Sequence, residues 1–509
     1  MEYLLGMDIG TTNQKALLVA ASGEIVASAS RKNQLIHPGP NMVEQDPDQW
    51  WRNTVEILRE LARSVGQEQL RRVRAICVSS QTVTLLPVDR DGNALMNALI
   101  WMDGRSGDEL GQVLDRVGRE AFISIVGGRP DVVFLPGKLR WFAKNKPQLL
   151  EKTKWLLQAN GYVNLKLTGR ASLDLDQASR TQCYDLAGRC WSRTIGNAIG
   201  VELDELLPKP SAVTDIIGHV TEDAAALTGL AAGTPVVAGC CDAMASLYAI
   251  GIKKPGQAGE SSGTSSLVFV GASGPSATNV PVVARPCPVK GVPYVFDAPI
   301  NATGGAIKWF LDNMAGEQLL QERQAGGDVY ARMNEMAARS APGANGLLFL
   351  PYLHGERAPL WSSAARGMLI GLTTDTTQED MARAVFEGTA FALRHVVETI
   401  RETGTEISSL RITGGGARSV EWARIKADVL QLPVELMDGV SGDVPLGDVL
   451  IAGQAVGLGE LSDRVLKPMR VLEPDPKARP VYDEMYGLFR SVYEKLVPEQ
   501  KRLEEFKRT

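Results

Sequence analysis

Two short polar turns, each beside an apolar strand and separated by about half of the chain, constrain the fold most strongly. The first follows a strand predicted over residues 3–9 and contains Gly10, Thr11 and Thr12. The second, Gly263-Thr264, precedes an apolar strand predicted over residues 267–270. Glycine and small polar residues are typical of tight turns between strands. A strand–turn motif that recurs in each half fits a two-lobed molecule.

The overall composition is that of an ordinary globular protein, and it gives no indication of a nucleic-acid partner. The 509 residues include 44% hydrophobic and 22% charged residues, and the formal net charge is -5. At roughly 100–200 residues per domain, this length predicts about two to four domains. Nucleic-acid-binding proteins usually carry a basic face, so the charge gives no reason to expect a nucleic-acid partner. The six cysteines show no C-x-x-C spacing and the four histidines are isolated, which argues against a disulfide scaffold or a zinc site.

The sequence also lacks the patterns of membrane insertion and secretion. It contains no stretch of about 18 apolar residues, and its beginning shows no basic segment followed by an apolar one. We therefore expect a cytoplasmic protein without a membrane partner.

Local patterns place several elements along the chain. Asp46-Pro47 predicts a helix start, because aspartate favours the cap position and proline the first helical position. Apolar residues at helical spacing predict a long helix over residues 378–401. An apolar strand over residues 234–238 leads through Cys241-Asp242 into a helix of small residues over 243–249.

The first turn has the residue types of a phosphate and magnesium site. Gly10 allows close approach of the backbone to a phosphate, and Thr11 and Thr12 add hydroxyl donors. Asp8 would be repelled by phosphate, so its predicted role is to hold Mg²⁺, through water. The alternative is an ordinary hairpin turn, which uses the same residue types.

The other glycine-containing turns allow similar alternatives. Gly263 and Thr264 repeat the pattern of the first turn. A run of small residues also follows a strand predicted over residues 410–413, and an adenine or ribose could lie against it: Gly414, Gly415, Gly416 and Ala417. This run matches neither G-x-G-x-x-G nor G-x-x-x-x-G-K-[ST]. A tight strand–helix turn explains it equally well.

Asp242 is the candidate general base. It follows an apolar strand and has no basic residue nearby in the sequence, so we expect partial desolvation to raise its pKa. Such a carboxylate is suited to accept a proton from a hydroxyl group. The alternative is a helix cap, because a helix is predicted directly after it.

Taken together, these segments resemble the FGGY family of carbohydrate kinases. The most specific match is a long signature that begins with Gly-Met-Leu-Ile-Gly-Leu at residues 367–372, continues at Asp380-Met381 and ends with Ala-Val-Phe-Glu at residues 384–387. Residues 350–359 are similar to the family's Pro-Tyr…Gly-Glu-Arg-x-Pro segment, and Ile100-Trp101-x-Asp103-x-Arg105 also matches. The resemblance extends from residue 4 to about residue 459.

The resemblance implies an α/β fold of two ribonuclease-H-like lobes of the actin/Hsp70 type, with ATP in the cleft between them. It implies an N-terminal lobe over residues 1–250, which binds the sugar, and a C-terminal lobe over residues 251–509, which binds the nucleotide. It also implies ATP and Mg²⁺ as cofactors and Asp242 as catalytic base. The implied ATP-binding residues are Gly10, Thr11, Thr12, Gly263, Thr264, Gly304, Lys308, Gly414, Gly415, Gly416 and Ala417.

The implied substrate is a small sugar or polyol. Within the family the layout is most similar to xylulose kinases, and then to gluconate kinases, which makes D-xylulose the first expectation and gluconate or another polyol or aldonate the alternative. The predicted substrate-binding residues are Gln81, Thr82, Val83, Trp101, Asp103 and Asp242. Xylulose kinases typically carry Gln-Met-His-Gly where this chain has Gln-Thr-Val-Thr at residues 81–84, and Asp-Asn where it has Asp242-Ala243. Both departures remove hydrogen-bonding groups that can set specificity.

Three further expectations remain open. A non-catalytic, actin-like ATP-binding protein would share the phosphate turns but lack the signature at residues 367–387 and the segment carrying Asp242. A degenerate kinase would bind ATP without turnover. Because members of the family are often dimers, a homodimer is also possible.

Overall fold

The chain divides into two compact units. The computed structural model describes residues 2–275, 281–282, 284–301, 303–314, 316–438 and 444–505. The first unit comprises Met1–Ala249 and Asp443–Val465, and the second comprises Ile250–Gly442 and Leu466–Thr509. The chain thus passes from the first unit to the second near residue 250, returns to the first unit at residues 443–465, and ends in the second. The predicted boundary near residue 250 does not include this return. The roles predicted for the two halves stay predictions.

The first 250 residues contain both strands and helices. The strands are β1 (Tyr3–Ile9), β2 (Asn13–Ala20), β3 (Ile25–Lys32), β4 (Glu44–Gln45), β5 (Val73–Ser80), β6 (Leu86–Val88), β7 (Ala98–Leu99), β8 (Trp155–Leu157), β9 (Tyr184–Asp185), β10 (Cys190–Trp191), β11 (Ile216–His219) and β12 (Pro235–Val237). The helices are α1 (Pro47–Val65), α2 (Gln67–Leu70), α3 (Gly107–Val117), α4 (Arg119–Val126), α5 (Leu135–Asn145), α6 (Pro147–Lys152), α7 (Ala159–Thr168), α8 (Leu175–Arg180), α9 (Arg193–Ile199), α10 (Leu203–Leu206), α11 (Glu222–Thr228) and α12 (Asp242–Ile250).

The rest of the chain also contains both kinds of element. The strands are β13 (Gln257–Ser262), β14 (Ser266–Ala272), β15 (Ala284–Pro286), β16 (Tyr294–Ile300), β17 (Leu348–Leu350), β18 (Met368–Ile370), β19 (Ser409–Gly414), β20 (Val434–Met437) and β21 (Pro468–Leu472). The helices are α13 (Gly304–Asn313), α14 (Glu317–Gln324), α15 (Val329–Arg339), α16 (Gln378–Arg401), α17 (Val420–Leu430), α18 (Val444–Ala455), α19 (Leu461–Val465) and α20 (Arg479–Glu504), with 3₁₀ turns at Ala344–Gly346 and Gly415–Arg418.

The main sheet of the first unit has the strand order β11-β12-β5-β1-β2-β3. β1 and β2 form an antiparallel hairpin, whereas β1, β5 and β12 run parallel. All seven residues of β1 are buried, as expected for a central strand covered on both faces. The side chains of Leu5 and Met7 join a core with Trp50 of α1. Gly6 points to the opposite face, where an added Cβ would collide with Pro445 of α18.

The main sheet of the second unit has the order β15-β16-β14-β13-β19-β20-β21. Here β13 and β14 form the antiparallel hairpin, and β13, β19 and β20 run parallel. Each unit therefore contains a hairpin whose first strand also pairs with one parallel strand. The two predicted glycine–threonine turns join the strands of these two hairpins.

The predicted helix starts are found where expected. Asp46 caps α1 by accepting a hydrogen bond from the Asp48 amide at 2.9 Å, and Pro47 is the first helical residue. α16 has the predicted bounds and begins with a capping box, in which Thr377 and Asp380 satisfy each other's backbone amides. No helix within the described ranges is both long and apolar enough to cross a membrane.

Candidate active site

Three neighbouring parallel strands of the first unit lead to residues predicted for magnesium or substrate. Asp8 lies near the end of β1, Gln81 directly follows β5, and Asp242 follows β12 in the chain. Ser80 forms a parallel bridge with Cys241, which extends the pairing of β5 towards Asp242. The carboxyl ends of parallel strands are the usual ligand-binding edge of an α/β sheet. This edge is therefore the candidate acceptor site.

Asp242 is the first residue of α12 and is half-buried. Its Oδ1 accepts a hydrogen bond from the Ala243 amide at 2.7 Å, so a role at the start of this helix is observed. The preceding Cys241 amide donates to Asp176 Oδ2 at 3.1 Å. Asp176 is in turn paired with Arg180 at 2.9 Å. These contacts hold the backbone before Asp242 in place, and its role as base stays a prediction.

Asp8 is buried, with 7% of its surface exposed. The Ser79 hydroxyl lies 3.5 Å from Asp8 Oδ1 and donates to Asp448 Oδ2 at 2.7 Å. Burial raises the pKa of Asp448 well above its ordinary value, and the charge of Asp8 acts in the same direction. Among the described residues, no three His, Cys, Asp or Glu side chains form a metal-binding group. Mg²⁺ usually keeps several waters and one or two carboxylates, so Asp8 fits a water-mediated contact.

The Thr11 hydroxyl of the first turn makes two side-chain hydrogen bonds. It donates to Gln81 Oε1 at 3.1 Å and accepts from the Trp101 indole N–H at 3.0 Å. Gln81 also donates to Gln45 Oε1 at 2.5 Å, and Gln45 donates to the Thr11 carbonyl at 2.7 Å. The exposed ring of Trp101 is thus fixed from its polar edge. Thr11, predicted as a phosphate residue, is bonded to two predicted sugar residues, while the neighbouring Thr12 is exposed.

The segment after Gln81 is held from two sides. Thr82 donates to Gln177 Oε1 at 2.8 Å. Val83 is buried and has a φ of 54°, a left-handed conformation that is strained for a β-branched residue. Lys138, fully buried, donates to the Val83 carbonyl at 3.1 Å and to the Ile100 carbonyl at 2.7 Å. One lysine therefore connects the segments that carry Val83 and Trp101.

Asp103 lies inside the protein rather than at an open surface. It is fully buried, and its Oδ2 accepts from the Val43 amide at 2.7 Å and from Arg105 Nη2 at 2.7 Å. The structure gives this carboxylate an internal role, and its contact with a substrate stays a prediction.

The second unit contains a cavity of about 500 Å³ beside the second turn. Six of the predicted nucleotide residues line it: Gly263, Thr264, Gly304, Lys308, Gly415 and Gly416. Gly414 and Ala417 adjoin this lining in sequence but are not part of it. Side chains from four helices complete the walls, among them Tyr330, Asn334, Phe386 and Trp422.

Glycine is required where the backbones around this cavity meet. A Cβ at Gly304 would collide with the carbonyl oxygen of Gly263, to which the Gly304 amide donates at 3.1 Å. A Cβ at Gly416 would collide with the side chain of Ser262. Gly414 has a φ of 77°, which side-chain-bearing residues rarely adopt. Close packing of these backbone segments therefore requires glycine at the three positions.

The chemistry of the cavity fits a nucleotide. Trp422 and Phe386 stack with their ring centroids 6.0 Å apart and offer an apolar wall for a flat base. Thr264 is exposed and can donate to phosphate oxygens. Lys308 is also exposed and pairs with Asp312. Ser262 Oγ is buried in the lining and has no hydrogen-bond partner within the described part of the chain, as expected for a group that meets a polar ligand.

Comparison with known proteins identifies the family. Residues 3–249 match the N-terminal domain of the FGGY family of carbohydrate kinases, and residues 260–456 match its C-terminal domain. The chain belongs to the FGGY family of carbohydrate kinases. This FGGY protein is therefore a sugar kinase, as predicted, and the comparisons give no support to the alternative of a non-catalytic actin-like protein. Kinases of this family use ATP, generally with Mg²⁺.

Relatives of this FGGY kinase match it over nearly its whole length. A xylulose kinase of Bacillus subtilis is 28% identical, with 97% of each chain covered. A gluconokinase of the same organism is also 28% identical, covering 91% of this chain and 89% of its own. The crystal structure of a xylulose kinase from Rhodospirillum rubrum is 30% identical and superimposes with a TM-score of 0.88, covering 98% of this chain and all of that one. The predicted two-domain α/β fold is confirmed.

Several residues around both sites were not predicted from the FGGY sequence. Asp176, Gln177 and Lys138 hold the acceptor segments, and Tyr330 and Trp422 line the cavity. None belongs to a local glycine or carboxylate pattern, because each reaches its site from a helix distant in sequence. Phe386, which also lines the cavity, was not predicted either, but a sequence signal for it existed because it lies in the family signature at residues 384–387.

Proposed function

We propose that this FGGY kinase transfers the terminal phosphoryl group of ATP, with Mg²⁺, to a hydroxyl group of a small ketose or polyol. D-xylulose, which would become D-xylulose 5-phosphate, is the first substrate to test. The observation that carries the proposal is the gathering of Asp8, Gln81 and Asp242 at one sheet edge of a chain of this family. The glycine-lined cavity of the second unit supports the nucleotide part.

The nucleotide residues act by position. ATP supplies the phosphoryl group, and Mg²⁺ offsets the negative charge of the phosphates. The Thr264 hydroxyl can donate a hydrogen bond to a phosphate oxygen, and the absence of side chains at Gly263 and Gly304 lets a phosphate approach the turn closely. Asp8 would hold the magnesium through water. The adenine base of the nucleotide would lie against Trp422. Phosphoryl transfer depends mainly on such positioning, because little covalent chemistry falls to the protein.

Asp242 supplies the acid–base step. As the acceptor oxygen bonds to phosphorus, its proton passes to the Asp242 carboxylate, and the bond to the leaving ADP breaks. Gln81 and Thr82 are placed to orient the acceptor hydroxyls, and Trp101 offers an apolar face. The reaction requires the terminal phosphate of the bound nucleotide to reach the hydroxyl held beside Asp242.

Gluconate is the second candidate for a specific reason. The xylulose kinase and the gluconokinase of Bacillus subtilis are equally identical to this chain, at 28%. In addition, Val83 and Ala243 stand where xylulose kinases typically carry histidine and asparagine. A site that loses hydrogen-bonding groups discriminates differently among hydroxylated substrates. A homodimer also stays a prediction.

A panel assay tests the proposal. ADP release is coupled to a spectroscopic signal and measured with D-xylulose, other ketoses, polyols and gluconate at several concentrations. We expect one substrate to exceed the others in kcat/KM, with D-xylulose first and gluconate second. Calorimetric titration with ADP runs in parallel. ADP binding without activity on any member of the panel would favour a degenerate kinase and contradict the proposed transfer.

A further inference from the structure

A buried ion pair lies behind the cavity of the second unit. Lys426 Nζ is 2.7 Å from Glu260 Oε2, and their side chains are 1% and 0% exposed. Neither residue lines the cavity. A buried ion pair is weak evidence for stability, because the desolvation of two charges can exceed their mutual attraction. Its contacts point to a different role.

The carboxylate of Glu260 is connected to the second turn through two hydroxyl groups. Ser266 Oγ donates to Glu260 Oε1 at 2.6 Å and lies 2.9 Å from Thr303 Oγ1. Thr303 Oγ1 lies 3.5 Å from the Gly263 carbonyl, and the next residue, Gly304, donates its amide to the same carbonyl. Because Ser266 gives its proton to Glu260, Thr303 donates to Ser266, and the turn is linked to Glu260 through Ser266, Thr303 and the amide of the adjoining Gly304.

The ammonium group of Lys426 is connected to the opposite wall. It lies 3.7 Å from the ring centroid of Trp422, which is one turn earlier in α17 and lines the cavity. The Trp422 indole N–H donates to Thr389 Oγ1 at 2.9 Å, so the ring is held at both its face and its edge. The Glu260 carbonyl also accepts from Thr413 Oγ1 at 3.3 Å, directly before Gly414.

We propose that Glu260 and Lys426 are a positioning pair that fixes the spacing between the Trp422 wall and the Gly263-Thr264 turn, and thereby sets the affinity for the nucleotide. This inference rests on the proposed function, because it assumes that the cavity binds the nucleotide. A bound nucleotide must place its adenine base against Trp422 and its phosphates at the turn at the same time, so the distance between these two parts of the cavity matters. Buried supporting contacts of this kind hold binding groups in their productive geometry.

The asymmetry of buried ion pairs provides the test. Removing one partner leaves a buried uncompensated charge and destabilises a protein strongly, whereas replacing both by apolar residues is often neutral. Three variants are compared with the native chain: Lys426→Met, Lys426→Arg, and the double variant Glu260→Leu/Lys426→Met. A matched control is the double variant Glu435→Leu/Arg411→Met, which removes the ion pair between β19 and β20 without touching the cavity lining.

The expected results separate positioning from stability. Lys426→Met should lower the Tm by roughly 5–10 °C, and the double variant should recover most of that loss. The double variant should still bind ADP about tenfold more weakly and show a raised KM for ATP, while its KM for the sugar stays within about twofold. Lys426→Arg, which keeps the charge, should bind ADP more tightly than Lys426→Met. The control should bind ADP like the native chain.

Three outcomes overturn the inference or its premise, and they are distinguishable. Native ADP affinity in the recovered double variant would show that the pair has no positioning role. Failure of the native chain itself to bind ADP would instead contradict the proposed nucleotide site. Equal loss of affinity in the control would mean that the effect is general to the sheet, which also overturns the inference.

Discussion

The two glycine–threonine turns have nearly the same sequence and occupy the same place in their hairpins, yet their surroundings differ. In the first unit the Thr11 hydroxyl is bonded to Gln81 and Trp101. In the second unit Thr264 is exposed beside a cavity. The first turn is thus joined to residues predicted to bind the acceptor, and the second is left open towards a nucleotide-sized space.

A buried lysine supports each of these regions by a different chemistry. Lys138 donates to two backbone carbonyls, of Val83 and Ile100. Lys426 is paired with the carboxylate of Glu260. The two turns thus share their place in the fold but differ in the side chains around them, and under the proposed function this difference separates acceptor binding from nucleotide binding. Four predictions test this division.

The largest expected effect comes from Asp242. Asp242→Asn keeps the size of the side chain but removes the proton acceptor, so we expect kcat to fall by about 100- to 10,000-fold. ADP affinity, measured by calorimetry, should be unchanged because the cavity proposed to hold the nucleotide lies in the second unit and Asp242 does not line it. Asp223→Asn, at an exposed helix start, serves as control. Near-normal turnover of Asp242→Asn would refute the assignment of the base.

The second effect concerns the backbone contact of the second turn. Gly304→Ala introduces a Cβ that collides with the Gly263 carbonyl, so we expect the Kd for ADP to rise about tenfold or more. The KM for the sugar should change little. Gly487→Ala in α20, where a Cβ meets nothing within 4 Å, is the matched control. A shift of the sugar KM alone would reverse the proposed division between the units.

The third effect concerns the hydroxyl group of the first turn. Thr11→Val removes the bonds to Gln81 and Trp101, and at about 0.5 kcal/mol for each bond the KM for the sugar should rise about fivefold. Thr11→Ser keeps the hydroxyl and should restore most of the affinity. If Thr11→Val instead raised the KM for ATP and left the sugar unaffected, Thr11 would serve the phosphates alone.

The smallest effect is a dependence of stability on pH. Burial lowers the pKa of Lys138 to about 7, although Asp103 and Asp131 oppose this shift and Arg105 adds to it. Between about pH 7 and the ordinary lysine pKa of about 10.4, the unfolded chain then holds a proton that the folded chain lacks. Stability should rise with pH across this window, by at most about 1.4 kcal/mol per pH unit from this group.

Thermal melts of the native chain and of Lys138→Met between pH 7.5 and 9.5 test this dependence. The native chain should gain stability relative to the variant as the pH rises. Parallel curves for the two proteins would mean that the lysine keeps its proton, and its support of the acceptor segments would then be ionic.

The sequence predicted the elements that local rules govern. Asp46-Pro47 and the spacing of apolar residues over 378–401 place two helices correctly, because caps and periodicity act within a few residues. The turns at Gly10 and Gly263 were recognisable for the same reason. The resemblance to the family supplied Gly304 and Lys308, both of which line the cavity. Local rules could not supply them, since nothing in their own segment indicates a ligand.

What the sequence determined by itself was the family, the two-domain α/β fold, and the residue types available to carry a phosphoryl transfer. Only the tertiary structure decided how they are grouped: that Asp103 is occupied internally by Arg105 and Val43, that Thr11 is bonded to Gln81 and Trp101, and that Glu260 meets Lys426. The physical reason is range. Turns and helix caps depend on neighbours along the chain, whereas a buried charge or hydroxyl must find its partner on whichever distant element the packing brings beside it.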